Sequence, residues 1–183
     1  SAASTGYRKL HFEVESRPKL KLRNFVKSLP IGSYDWLRIA TDAFLMRYIS
    51  VLDCCVILTN DVFQCNLELR KCSLDRLEKC GVSYEVISIL KGLVASQSAL
   101  RWERNTRFHH GCERWFTDDD SMFRTVSLFH ERGGRVSGQD RLGRTINIER
   151  SFAEGLVGLQ RDFNKSTRQL ISCLDRLYKE LGR

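Results

Sequence analysis

The chain has 183 residues, 42% of them apolar, and its 30 lysines and arginines outnumber its 22 aspartates and glutamates to leave a net charge of +8. This is a globular composition, which excludes a disordered or low-complexity chain and suits a single domain with a core of its own. No secretory leader is visible and no apolar run approaches the roughly 20 residues needed to cross a bilayer, so a cytoplasmic protein away from the membrane is expected.

The basic excess makes nucleic acid or another polyanion a natural partner, although charge speaks to association rather than to fold. A basic protein with no such partner is the plainer alternative. The seven cysteines are an odd number and contain no Cys-x-x-Cys spacing. They read as reduced thiols rather than a disulfide framework, with Cys55 and Cys65 on a buried stripe beside Cys54, Cys72 and Cys80.

Residues 1–32 form a basic N-terminal arm, ahead of a domain over 33–183. In the arm, Leu10, Phe12 and Val14 alternate with polar neighbours as in a short strand. Both prolines, Pro18 and Pro30, lie here, and the rest of the chain carries no helix-breaking ring. Ser33 is a reasonable N-cap for a first long helix over about 34–71, whose apolar positions Leu37, Phe44, Tyr48, Val51, Cys55, Leu58 and Val62 step by three and four. Ser73 caps a short helix over 74–80, closed by Gly81.

A second long helix is expected over about 83–110. Its inward stripe runs Val86, Leu90, Leu93, Gln97 and Leu100, and one further step of four lands on Arg104. A cation on a stripe filled by leucines costs several kcal/mol to bury unless an anion or fixed acceptors meet it. Asn105 and His109 lie four apart on one helix face, and Gly111 is a plausible C-cap.

Thr117 and the three aspartates 118–120 read as the start of a third helix, where carboxylates favour the orphan amides and the macrodipole. That helix ends by Gly133-Gly134. The loop over 133–149 is rich in Gly and Arg, and Ile146 and Ile148 could pair with the 10–14 strand as a small ribbon. The last helix, about 149–181, has the cleanest periodicity: Phe152, Leu156, Leu159, Phe163, Leu170, Leu174, Leu177 and Leu181. Its seam serves either the bundle's own core or an oligomer. The whole reads as an all-α, antiparallel four-helix bundle with an N-terminal arm.

Arg104-Asn105-Thr106-Arg107-Phe108-His109 has the form Arg-Asn-x-x-x-His at the end of the second long helix. The motif in that position resembles the HEPN superfamily, whose members carry Arg-x(4 to 6)-His there. Many are metal-independent endoribonucleases, often toxins or defence factors, acting as homodimers with two motifs facing one cleft. The resemblance implies Arg104 and His109 as the catalytic pair, with Asn105 orienting one of them. It covers about 34–181 and leaves the arm unaccounted for.

The residue chemistry suits RNA cleavage by its own 2′-hydroxyl. Histidine titrates near neutrality and can move protons at the 2′- and 5′-oxygens. Arginine offers a fixed fork of donors to phosphate oxygens. Arg101, Arg107 and Arg114 are further candidate phosphate contacts, interleaved with Trp102, Phe108 and Trp115 on which bases could stack. His110 fits the looser spacing of the motif and is a second candidate. His109, His110 and Cys112 with Asp118 match no closed zinc spacing, and Cys112 lacks an orienting group as a nucleophile, so no metal or other cofactor is expected. The expected partners are RNA, a second copy of the chain, and an antitoxin or larger effector. The competing reading is a non-catalytic RNA- or nucleotide-binding or dimerisation bundle, in which the inward Arg104 could be held in a structural salt bridge to Glu68, Asp61 or Asp53.

Overall fold

A computed structural model describes residues 31–133 and 137–182. It is all-α: α1 Ser33–Val62, a 3-10 turn Leu69–Lys71, α2 Leu74–Lys79, α3 Tyr84–Ser96, α4 Ser98–His110, α5 Asp120–Glu131 and α6 Ile148–Leu181. The central layer is α1, which meets α6, α3, α4 and α5, while α3 packs on α6 and α2.

The apolar stripes fill two clusters. The larger joins the second half of α1 (Tyr48, Ile49, Leu52, Cys55, Val56) to Leu77, to the α3 face Val86, Ile87, Leu90 and Leu93, and to Leu170 and Leu177 of α6. The smaller closes the other end with Tyr34, Leu37, Phe123, Phe152 and Leu159. Between them Phe44 stacks on Phe163 with ring centroids 3.7 Å apart, and on Tyr48 at 5.3 Å. Burial pushes the Cys55 thiol up to about 11, so it stays protonated within the core. Cys65 is half-buried, whereas Cys54 and Cys80 are exposed rather than part of that stripe.

Two helix boundaries are corrected. The first long helix stops at Val62, not near 71. Asn60 is buried, and its side-chain oxygen accepts the Leu67 amide at 3.0 Å. Gln64 and Asn66 take left-handed φ of 51° and 54°, which turns the chain back. The second helix is broken at Gln97 into α3 and α4. The aspartate run does begin a helix, but Asp120 faces inward: its Oδ1 accepts the Phe116 and Thr117 amides at 2.8 and 3.2 Å. Asp119 holds the N-cap position without a side-chain cap.

The expected arm over 1–32 lies outside the described residues apart from its last two, as does the 10–14 half of the ribbon. Ile148 opens α6 instead, and among the described residues the 137–147 loop holds an isolated bridge between Gln139 and Thr145 but no strand. No helix among the described residues is long and apolar enough to cross a membrane.

Close helix approach requires a residue without a side chain at one point of α6. A Cβ at Gly155 would sit 2.7 Å from Leu37 Cδ1, and Leu37 is fully buried. Gly158, one turn on, has open space around it. Gly155→Ala is therefore expected to destabilise by about 1–3 kcal/mol through overpacking. Gly158→Ala should be neutral or stabilising by up to ~1 kcal/mol through helix propensity. Urea unfolding of both variants checks the contrast.

Candidate functional site

Unlike the other long helices, α4 has no fully buried residue. Polar anchors hold it on α1. At the joint before it, Gln97 is fully buried and its Nε2 donates to the Tyr48 carbonyl at 2.9 Å, while Oε1 is buried without a partner. Near its other end, Arg107 is only 7% exposed and donates through Nε (2.9 Å) and Nη2 (2.6 Å) to one oxygen of Asp42. Gly111 then ends the helix in the left-handed region at φ 66°, its amide donating to Arg107 O at 3.1 Å.

Past Gly111 the chain folds back over the bundle end. The Arg114 guanidinium is ion-paired to Asp162 of α6, lies 3.5 Å from Glu103, and covers the Phe163 ring at 5.8 Å. Glu113 collects Arg124 at 2.9 Å, Arg38 at 3.8 Å and the Tyr34 hydroxyl at 3.3 Å. The same hydroxyl donates to Asp120 at 2.8 Å. Burial, the bond to Asp120 and the Asp120 and Glu113 charges together hold the Tyr34 phenol far above its ordinary range.

The sequence candidates separate into distinct environments. Arg107 and Arg114 are neutralised by carboxylates of their own chain. Arg104 is half-buried; its Nε is shielded and has no hydrogen-bond partner, and no carboxylate pairs with it among the described residues. Asp53, Asp61 and Glu68, the acids that could have held it, do not. Asn105 and His109 are exposed, as are His110 and Trp102, the last 70% exposed. Trp102, Asn105 and His109 follow at i, i+3 and i+7 and so line one outer face of α4. Phe108 and Trp115 are 53% and 71% exposed nearby in the sequence.

Arg104 and His109, five residues apart, point about 140° apart around the helix axis. One copy of α4 does not bring them together. Arg101 turns elsewhere, lining a cavity with α1, α2 and α3 residues. Among the described residues no three His, Cys, Asp or Glu side chains are placed to share a metal ion, and His109, His110, Cys112 and Asp118 do not gather. The sequence reading missed Asp42, which lies 65 residues from Arg107 and carries no local mark of its role.

Set against protein-family models, curated proteins and solved structures, the chain matches none.

Asp42→Ala leaves the nearly buried Arg107 without its anion. The expected loss is roughly 2 kcal/mol, between the ~1 of exposed pairs and the ~3–5 of buried ones. Replacing both with leucine should recover part of it, measured by chemical denaturation. The Tyr34 phenol, raised in the folded state, contributes stability that is complete below the ordinary tyrosine pKa of ~10 and is lost as pH rises above it. The stability gap between the wild type and Tyr34→Phe should accordingly shrink above that pH. A gap that stays constant through the alkaline range contradicts this.

Proposed function

We propose that the chain is a metal-independent endoribonuclease of the HEPN type, its four-helix bundle formed by α1, the broken pair α3 and α4, α5 and α6. It acts on RNA in the cytoplasm as a homodimer, in a toxin or defence setting, under an antitoxin or larger effector. The observation that carries the reading is the state of Arg104: a half-buried guanidinium with no carboxylate partner among the described residues, in a segment whose neighbours Arg107 and Arg114 are neutralised. A cation left in that state favours an anion from outside the chain.

In the reaction, Arg104 binds the scissile phosphate and offsets the charge that grows on the phosphorane. His109 moves a proton at the attacking 2′-oxygen or the leaving 5′-oxygen. Asn105, on the same exposed face, orients the imidazole. The 2′-oxygen forms its bond to phosphorus as the 5′-oxygen leaves, giving a 2′,3′-cyclic phosphate and a 5′-hydroxyl. The angular separation of Arg104 and His109 within one α4 is why two copies are needed, the imidazole of one facing the guanidinium of the other. Trp102 on this face and His110 beside it would hold neighbouring nucleotides.

The angular separation also favours a second reading, in which the face binds RNA without cutting it. Incubation of labelled single-stranded RNA with the protein in EDTA separates the two. Cleavage to cyclic-phosphate ends is expected, falling by about 10²–10⁴ in His109→Ala and about 10²–10³ in Arg104→Met. A gel shift with no cleavage supports the binding module, and undiminished cleavage by His109→Ala removes the imidazole from the mechanism.

A further inference from the structure

Three of the seven cysteines come together where the chain turns back after α1. Cys65 follows the end of that helix, its backbone amide donating to Asn60 O at 3.0 Å. Cys72 ends the 3-10 turn, and Cys80 holds the C-cap position of α2. Leu77 anchors α2 in the larger apolar cluster, against which Cys65 and Cys72 also pack. That packing brings the thiols at the two ends of the 65–80 segment into hydrogen-bond contact, Cys65 with Cys80, and sets Cys72 close by.

The three thiols are not equivalent. Cys80 is exposed, whereas Cys65 and Cys72 are half-buried. The Cys72 sulfur lies on the Val56 carbonyl at 3.7 Å. Burial, the hydrogen bond to Cys80 and the neighbouring Cys80 and Cys72 sulfurs hold the Cys65 thiol above its ordinary range, so at neutral pH it stays protonated. An accessible sulfur with a second one in contact behind it is the arrangement that converts oxidation into a disulfide before an irreversible acid forms. The other exposed thiols are placed differently. Cys54 adjoins Cys55 on α1, but successive side chains point about 100° apart around a helix and Cys55 is in the core. The Cys112 sulfur lies 3.9 Å from the His110 carbonyl.

We propose that Cys80 and Cys65 form a peroxide-sensitive thiol pair, Cys80 reacting first and Cys65 resolving it to a disulfide that ties α2 to the turn after α1. The Cys80 thiolate attacks one oxygen of hydrogen peroxide. The O–O bond breaks, a sulfenic acid is left on Cys80, and the departing hydroxide takes up the thiol proton as water. The Cys65 sulfur then attacks the Cys80 sulfur, the S–O bond breaks, and a second water leaves with the Cys65 proton. The two sulfurs together give up two electrons, and the peroxide oxygens end as two waters. A dithiol reductant reverses the bond by exchange. The disulfide closes the loop between the two residues and restrains α2, whose one buried residue is Leu77. It lies outside α4 and is independent of the RNA reading.

Peroxide treatment of the fully reduced chain, then alkylation in denaturant and peptide mass spectrometry, tests this. At low protein concentration the free thiols, seven per reduced chain, should fall by two, with a linked Cys65–Cys80 peptide and no covalent dimer. Dithiothreitol should restore both thiols. Cys80→Ser, at an exposed position, should abolish the linked peptide in a protein whose circular dichroism matches the wild type. Cys65→Ser should leave Cys80 as a sulfenic acid that dimedone traps, and Cys72→Ser should form the linked peptide at the wild-type yield. The proposal is overturned if no Cys65–Cys80 peptide forms, if Cys80 of the wild type links to Cys72 or to a second chain instead, or if Cys54 and Cys112 are oxidised while Cys80 stays reduced.

Discussion

The pairing of Arg107 with Asp42 is the contact on which the arrangement of α4 depends. The other long helices bury whole apolar side chains, whereas α4 buries none completely. Area burial, with Leu100 half-buried against the larger cluster, contributes less to seating it than in those helices, and two polar points help set its position on α1. One is the Gln97 amide on the Tyr48 carbonyl, and the other is the Arg107 guanidinium on Asp42. Both join groups far apart in sequence, and each is directional, so together they fix the rotation of α4 about its own axis. That rotation leaves Trp102, Asn105 and His109 facing water and Arg104 at the margin.

Charge is distributed unevenly as a result. Arg107 and Arg114 are spent on internal carboxylates, and Arg38 and Arg124 share Glu113 at the aromatic end. Arg101 and Arg104 are left without an acid among the described residues, and they serve different places: one lines a cavity with α1, α2 and α3 residues, the other lies toward the helix end that carries His109. A net charge of +8 thus says less about where a polyanion could sit than does the subtraction of the paired arginines. Two half-buried cations out of four in this region retain unsatisfied charge.

Elements held together by local periodicity were legible in the sequence. The last helix was expected over about 149–181 and runs Ile148–Leu181, because its apolar stripe and the Asn147 cap, which accepts the Arg150 amide, act within a few residues. The Gly111 stop and the start of α3 near residue 83 were equally local. The stripe extrapolated through Gln97 was correct in direction, since Gln97 is fully buried. The break there was not legible: Gln97 keeps helical backbone angles, and the carbonyl that takes its side-chain amide lies 49 residues away. The end of α1 was missed for a related reason: Cys65, Leu67 and Leu69 prolong an apolar rhythm, and the Asn60 side chain that ends the helix leaves no glycine or proline as a marker. Within the candidate site, residue types and their exposed face could be read from spacing. Which arginines are already neutralised could not, because Asp42 and Asp162 approach only through the tertiary fold.

The salt dependence of RNA binding by single arginine variants tests this division of charge most directly. Each phosphate contact in single-stranded RNA contributes about 0.7 to the slope of log affinity against log salt concentration. With a short oligonucleotide too slowly cut to interfere, Arg104→Met should lower the slope by about that amount, while Arg114→Met, whose guanidinium is already held by Asp162 and Glu103, should leave it unchanged in a folded protein. A slope unaffected by Arg104→Met, or reduced equally by both substitutions, would contradict the account.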